Sequence, residues 1–185
     1  MAANRGDYAI VLQWIKSGAN LNAKGADGNT ALFDATQAHH TDIVKLLLEK
    51  GADPNVMNNS NQTPLHFAAM SGEMEVVRLL LDYKAQVEVR NLQGETPLTY
   101  AAATGQADLV RLILDHGANI EDANDSGYTA LMTASAQGYT SVVKLLLDRS
   151  AKVDVTATDG STALSLAAAG DHPDIEKLLR KRGAR

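Results

Sequence analysis

The sequence contains no cysteine, and aromatic residues make up only 4% of its 185 residues. Without cysteine, the chain cannot form disulfides, thiolate nucleophiles or cysteine-ligated zinc or iron–sulfur sites, and an intracellular setting, cytoplasmic or nuclear, is expected. With so few aromatic rings, a core must be built from Leu, Val, Ile and Ala packed repetitively. The 45% hydrophobic and 21% charged residues are still the balance of an ordinary globular protein.

Positive charge and long apolar runs are also scarce. The formal net charge is −5, and the only basic cluster is Arg180-Lys181-Arg182 with Arg185. Binding to nucleic acid needs a concentration of Lys and Arg that neutralises phosphates, so a nucleic-acid partner is not expected. No apolar run approaches the roughly 20 residues of a membrane-spanning helix, and residues 1–8 lack the apolar part of a signal peptide. No membrane partner is therefore predicted.

A repeat of 33 residues dominates what the sequence does contain. Each copy is marked by a Thr followed by Ala or Pro and then Leu, at Thr30, Thr63, Thr96, Thr129 and Thr162. A Gly stands two residues before four of these threonines, and Asn61, which tolerates a left-handed backbone, replaces it in the other copy. Constant spacing of this kind predicts a stacked repeat architecture.

Each copy predicts two helices. Thr is a good N-cap, and Pro64 and Pro97 stand at the first helical position, where the missing N–H costs nothing. The first helix should end nine residues after the Thr, for example at Gly72. The second helix is rich in Val, Leu and Ile, and a left-handed residue should end it. Glycine fills that last position at 51 and 117, whereas Lys84 and Ser150 fill it at a cost of about 1 kcal/mol each, which predicts looser turns.

The units Gly94-Glu95-Thr96-Pro97-Leu98-Thr99-Tyr100-Ala101-Ala102 and Thr63-Pro64-Leu65-His66-Phe67-Ala68-Ala69, with tails such as Gly51-Ala52-Asp53-Pro54-Asn55, resemble the ankyrin repeat. The resemblance implies an all-α repeat solenoid, in which antiparallel helix pairs are linked by β-hairpin-like turns. It also implies a concave face made of hairpin tips and first helices. One domain is expected over residues 1–185, with a partial repeat at 1–26, repeats at 27–59, 60–92, 93–125 and 126–158, and a capping repeat at 159–185.

Two features qualify the resemblance. The family's His after Thr-Pro-Leu, which ties neighbouring repeats together, is present only as His66, so its polar network should be thin. The partial first repeat keeps only the end of its first helix, as in a piece cut from a longer array or an engineered boundary. The polar residues after Leu179 instead indicate a solubilising cap.

Chemistry-bearing motifs are missing from the sequence. Its five histidines lack partners at metal-ligand spacing, and His39-His40 diverge on regular structure. No Gly-x-Ser-x-Gly, His-Glu-x-x-His or Walker-type pattern occurs, and Asp122, Asn124 and Asp125 lack the ligand order of a calcium loop. The chain is therefore predicted to be no enzyme and to bind no cofactor or metal.

The predicted function is binding of another protein on the concave face. Residues four, seven and eight after each Thr should share the open side of the first helix, which belongs to this face. The residue before each Thr should lie near the hairpin tip. Together these positions predict that the partner, a loop or extended peptide, contacts Asp34, Gln37, Gln62, Phe67, Met70, Glu95, Tyr100, Thr104, Tyr128 and Gln137. Phe67, Tyr100 and Tyr128 would anchor it, although such rings can equally fill gaps between first helices.

Two alternatives stay open at this stage. The chain is expected to be a monomer. The alternative to a natural binding module is an engineered or excised repeat scaffold that has no natural partner. From the family comes a further hypothesis, that hairpin asparagines, best matched by Asn22 and Asn55, are hydroxylated.

Overall fold

The computed structural model describes residues 2–185, which form twelve α-helices and one isolated antiparallel bridge, between Ala123 and Thr129. The chain divides into two compact units, one ending at Leu92 and the other beginning at Gln93. This division falls at a predicted repeat boundary. The assignment of one domain to the whole chain stays a prediction.

The helices alternate between first and second helices of successive repeats. In the first unit they are α1 (Ala2–Arg5), α2 (Tyr8–Lys16), α3 (Ala31–Gln37), α4 (Thr41–Glu49), α5 (Pro64–Met70) and α6 (Met74–Asp82). In the second unit they are α7 (Pro97–Ala102), α8 (Ala107–Asp115), α9 (Ala130–Ala136), α10 (Thr140–Asp148), α11 (Ala163–Ala169) and α12 (Pro173–Lys181). The predicted helix pairs are confirmed, and α1 is a single turn.

The first helices begin where the threonines predict. The Thr30 hydroxyl accepts a hydrogen bond from the Phe33 N–H at 3.3 Å, and Thr129 receives the same bond from Met132 at 3.3 Å. These bonds satisfy N–H groups that have no partner inside the helix. Thr63 begins a capping box, in which its N–H donates to Nδ1 of the buried His66 at 3.1 Å, as the Thr96 N–H donates to the Thr99 hydroxyl at 2.9 Å. An N–H can only donate, so Nδ1 of His66 is the acceptor in this bond.

The left-handed turns after the second helices are also confirmed. Gly51 and Gly117 have φ of 87° and 93°, and Lys84 and Ser150 adopt nearly the same conformation at 68° and 66°. A side chain in this region is strained by about 1 kcal/mol relative to glycine. Greater looseness of the Lys84 and Ser150 turns stays a prediction.

Hairpin turns connect the repeats and bond to each other. Within one turn, the Asn58 side-chain oxygen accepts from the N–H groups of Ser60 and Gln62 at 2.9 and 3.0 Å. Neighbouring turns are joined by single backbone bonds, from Asn59 N–H to Asp27 O at 3.1 Å in the first unit and from Asp125 N–H to Gln93 O at 3.1 Å in the second. The hairpin-like linkers are therefore held in register from one repeat to the next.

The core of each unit is aliphatic, as the low aromatic content predicts. Small residues such as Ala35, Ala68 and Ala101 are fully buried where first helices approach each other. The largest fully buried side chains are Leu32, Ile43, Leu47, Leu65 and Leu80 in the first unit and Leu98, Leu109, Ile113, Leu131, Met132, Leu146 and Ile175 in the second. Apolar stacking of this kind is the main stabilising contribution in a repeat array.

A ring placed over a glycine recurs between successive repeats. The glycine ends one first helix, and the ring belongs to the residue before the second helix of the next repeat. The pairs are His40 over Gly6, Tyr139 over Gly105 and His172 over Gly138, and a Cβ on these glycines would lie 2.7, 2.8 and 2.5 Å from the nearest ring atom. At such distances a side chain on the glycine would displace the ring, so the position of the ring depends on the glycine.

One repeat uses a different pair at these two positions. His39 stands where the glycine would be, with a left-handed φ of 62°, and Glu73 stands where the ring would be. Nδ1 of His39 is hydrogen-bonded to a carboxylate oxygen of Glu73. A polar pair thus replaces the ring-over-glycine contact in the first unit.

Candidate functional site

The first helices and hairpins of the first unit carry five of the predicted partner-binding residues. Gln37 and Met70 are exposed, the latter with 43% of its surface accessible, while Gln62 and Phe67 are half-buried. These four residues are therefore accessible, and their role in binding stays a prediction. Asp34 departs from the predicted exposure, because only 8% of its surface is accessible.

Asp34 is buried in a hydrogen-bonded cluster. The Asn29 amide nitrogen donates to carboxylate oxygens of Asp27 at 2.9 Å and of Asp34 at 3.3 Å, and it is itself oriented by Asn58, whose amide nitrogen donates to Asn29 Oδ1 at 3.1 Å. Burial raises the pKa of Asp34; the Asn29 hydrogen bond opposes this shift and the Asp27 charge adds to it. The sequence pattern placed Asp34 on the open side of the first helix, and it did not reveal that Asn29 donates to this carboxylate.

The Phe67 ring combines packing with exposure. Its centroid lies 6.2 Å from that of Phe33 at an interplanar angle of 60°. Aromatic pairs favour such a tilted arrangement over a face-to-face one. The His39 ring is a further neighbour, with the centroids 6.4 Å apart. Phe67 therefore fills a gap between first helices, and part of the ring remains accessible.

The second unit carries the other five predicted residues. Gln137 is exposed, whereas Glu95, Tyr100, Thr104 and Tyr128 are half-buried. Two of them have structural partners that the sequence did not reveal. The Glu95 carboxylate accepts from the Asn124 amide at 2.6 Å, and the Thr104 hydroxyl donates to the Ala101 carbonyl at 2.8 Å.

Tyr128 joins neighbouring hairpin tips. Its hydroxyl donates to the carboxylate of Asp159 at 2.8 Å. The Ser161 N–H, which donates to the other carboxylate oxygen at 2.9 Å, and then the Tyr128 hydroxyl lower the pKa of Asp159. The ring is thereby held at the tip with an ionised carboxylate beside it.

Two exposed apolar residues on the hairpins escaped the sequence prediction. Leu92 has 57% of its surface accessible and Met57 has 41%. Leu92 occupies the position that Asn59 and Asp125 fill in neighbouring repeats. The sequence signal that could have identified Leu92 is an apolar residue at a hairpin position that is polar in the neighbouring repeats.

Asn22 and Asn55 have structural roles. The Asn22 side-chain oxygen accepts from the Asp53 N–H at 2.9 Å, and that of Asn55 accepts from the Gln86 N–H at 2.8 Å. Each asparagine thus ties its hairpin to the following one. Their hydroxylation stays a prediction.

Histidines take part in hydrogen bonds of the fold. His40, His116 and His172 each have a ring nitrogen near a carbonyl oxygen, at 3.1 Å from Asn4, 2.8 Å from Leu112 and 3.2 Å from Ala136. Within residues 2–185, no group of three or more His, Asp or Glu side chains is placed to hold a metal ion. In the same range, none of the helices combines the length and the apolar character needed to cross a bilayer.

Together these features define a class of protein, the all-α repeat solenoid built from hairpin-linked helix pairs. The family model for ankyrin repeats, which holds three copies, matches residues 1–91, 44–124, 87–159 and 121–185. The chain belongs to the ankyrin-repeat family. No curated protein matches it. Ankyrin repeats are generally protein–protein interaction modules and typically non-catalytic.

Proposed function

We propose that this chain binds a loop or extended segment of another protein on the faces formed by its hairpin tips and first helices, without chemistry. One observation carries the proposal: large side chains on these faces are partly exposed, with Phe67 and Met70 in the first unit and Tyr100 and Tyr128 in the second. Aromatic rings and Met are the residue types that supply most interface energy. The exposed Leu92 at a hairpin tip adds to the same surface in the first unit.

Polar neighbours would set the register of the bound segment. Gln37 and Gln62 offer amide groups in the first unit, and Glu95 and Gln137 offer a carboxylate and an amide in the second. Asp34 contributes indirectly, because its carboxylate holds Asn29 in place beside the first helix. Thr104 would lie at the rim of the binding surface, because its hydroxyl already donates to the Ala101 carbonyl.

We further propose a monomer that works inside the cell. The lack of cysteine supports a reducing compartment. The acidic net charge supports a protein partner rather than a nucleic acid. The hydroxylation of Asn22 and Asn55 would be compatible with this setting and is tested by mass spectrometry of the chain isolated from cells.

Affinity capture with matched variants tests the binding proposal. The chain and a Phe67→Ala/Tyr100→Ala/Tyr128→Ala variant are used to capture proteins from cell lysate, and the affinity for each purified candidate is then measured by calorimetry. The control variant Tyr8→Ala/Trp14→Ala/Tyr83→Ala removes three exposed aromatic rings from other surfaces, as many rings as the face variant removes. Circular dichroism verifies that both variants keep their helices.

The expected result is a partner that the parent and the control variant bind and the face variant loses by at least about a hundredfold, as two or three hot-spot residues would give. Equal affinity of all three proteins for the partner would place the binding surface elsewhere. The complete lack of a partner sensitive to the face variant would favour the alternative, an engineered or excised scaffold that has no natural partner.

A further inference from the structure

A cleft between two second helices of the second unit collects lysine side chains. It has a volume of about 390 Å³ and is lined by Thr140 and Lys144 of α10 and by Asp174, Lys177, Leu178 and Lys181 of α12. Helical periodicity explains the grouping, since residues three, four or seven apart share one face of a helix. The volume lies in the range of about 300–1,000 Å³ that is typical of small-molecule sites.

The repeat pattern shows how this cleft differs from the equivalent surfaces. A basic residue recurs at one position of five of the six second helices, α2 being the exception with Leu12: Lys45, Arg78, Arg111, Lys144 and Lys177. An acidic residue follows it four positions later in the first four of these helices: Glu49, Asp82, Asp115 and Asp148. In α12 that position is Lys181, so the compensating charge is replaced by a second positive one.

Compensation is also removed around Lys144. The residue three positions before the basic one is acidic in the other second helices, for instance Asp108 beside Arg111, but it is Ser141 in α10. The remaining acidic neighbour, Asp148, accepts from the Arg182 guanidinium at 2.6 Å. Among residues 2–185, Lys144 forms no ion pair, and neither do Lys177 and Lys181.

We propose that this cleft, called the lysine cleft below, binds a phosphorylated anion that carries two or more phosphate groups. Three ammonium groups in one cleft of an acidic chain concentrate positive potential where a multivalent anion can enter, and Lys commonly binds phosphate as a point charge. The Thr140 hydroxyl adds a hydrogen-bond donor, and Leu178 adds an apolar residue to the lining. Asp174 is the single acidic residue of the lining and opposes a purely anionic ligand.

The proposal is tested by measuring the binding of inorganic tripolyphosphate to the full chain with titration calorimetry at low ionic strength. The variant K144Q/K177Q/K181Q removes the three charges of the lysine cleft and keeps most of the side-chain bulk. The control variant K16Q/K24Q/K50Q makes the same change in net charge with exposed lysines of the first unit. Both variants are checked by circular dichroism.

Saturable binding of one tripolyphosphate is expected for the parent and the control, which should agree within about twofold, while the cleft variant should lose at least about tenfold in affinity. The parent's affinity should fall as salt is added, because the charges are exposed. If both variants lost affinity equally, the net charge of the chain would explain the binding, and the proposal would be overturned. Absence of saturable binding to the parent would overturn it as well.

The Asp174→Asn variant gives an independent test of the geometry. Removing the one negative charge of the lining should tighten tripolyphosphate binding by about threefold to fivefold, since a charge a few ångströms away is only partly screened. An unchanged or weaker affinity would place the phosphate groups outside the lysine cleft.

The source of the phosphate groups is distinguished with vesicles. Sedimentation with phosphatidylcholine vesicles that contain phosphatidylinositol bisphosphate, competed by tripolyphosphate, would identify a lipid headgroup. Tripolyphosphate binding without sedimentation would identify a soluble phosphorylated compound. Both results support the shared chemistry, and neither depends on the protein partner proposed above.

Discussion

The two units are built from the same repeat, but the first second helix along the chain, α2 in the first unit, and the last, α12 in the second unit, are buried to very different extents. Ile10 and Trp14 of α2 have 38% and 45% of their surface accessible, whereas Ile175 and Leu179, at the equivalent positions of α12, have 1% and 0%. The first helix that packs on α12 has 7 residues, and the one that packs on α2 has 4. α12 also packs on α10 of the preceding repeat, whereas α2 packs on α1 and α4. Burial of a second helix thus follows from the helices that cover it rather than from its own apolar pattern.

The units differ in their buried polar groups as well. In the first unit the hydroxyl of the buried Thr36 donates to the Leu32 carbonyl at 2.9 Å. The equivalent residue in α9 of the second unit is Ser135, whose buried hydroxyl oxygen has no hydrogen-bond partner among residues 2–185. The first unit in turn buries a carboxylate, Asp34.

Truncation of the same side chain in the two units should produce the largest difference. Ile175→Ala leaves a cavity in a packed core and should lower the free energy of unfolding by about 2–5 kcal/mol. Ile10→Ala should cost only about 1 kcal/mol, because the residue is partly exposed and no closed cavity forms. Urea unfolding followed by circular dichroism measures both values. Similar costs for the two variants would contradict the comparison.

Removal of the two buried hydroxyls should have effects of opposite sign. Ser135→Ala should raise the free energy of unfolding by about 1 kcal/mol, because it eliminates a buried polar atom that lacks a partner, and Ala is the residue at this position in α5, α7 and α11. Thr36→Ala should lower it by about 1 kcal/mol, since a satisfied hydrogen bond is lost. Thermal unfolding of both variants checks the signs, and a destabilising Ser135→Ala would show that the hydroxyl is bonded in solution.

The buried carboxylate of the first unit should produce the smallest effect, and one that depends on pH. Because burial raises the pKa of Asp34, its ionised form opposes folding fully above the folded-state pKa, and this cost vanishes below the unfolded value of about 3.9. Asp34→Asn should therefore be more stable than the parent at neutral pH, and the advantage should disappear on acidification below about pH 4. Urea unfolding at a series of pH values measures it. A pH-independent difference would indicate a packing effect instead.

The regular part of the fold was predictable because it depends on local chemistry that recurs with the repeat. Thr30 and Thr129 cap helices through their own hydroxyls, and Asn61 takes the left-handed conformation that glycine takes elsewhere, with φ of 56°. The exposure of individual site residues was less predictable. Asp34 is buried beside Asn29, whose amide donates to its carboxylate and to that of Asp27, and this contact has no periodic signal.

The lysine cleft illustrates the same distinction. Its basic stripe, with Lys144 as one member, recurs at one position of the second helices and can be read from the repeat. Two changes concentrate the positive charge. Ser141 and Lys181 stand where other second helices have acidic residues, and Asp148 is paired with Arg182. A departure from the repeat, rather than the repeat itself, therefore carries the specific information.

The ring-over-glycine pairs imply a constraint on how this chain can diverge. Gly105 can acquire a side chain only if Tyr139 becomes smaller or moves, because a Cβ would lie 2.8 Å from the ring, and its left-handed φ adds a further penalty. The pair formed by His39 and Glu73 is a second solution at the same two positions. Among descendants of this sequence, we expect the two positions to change together, so that either residue alone is a poor guide to which substitutions are tolerated.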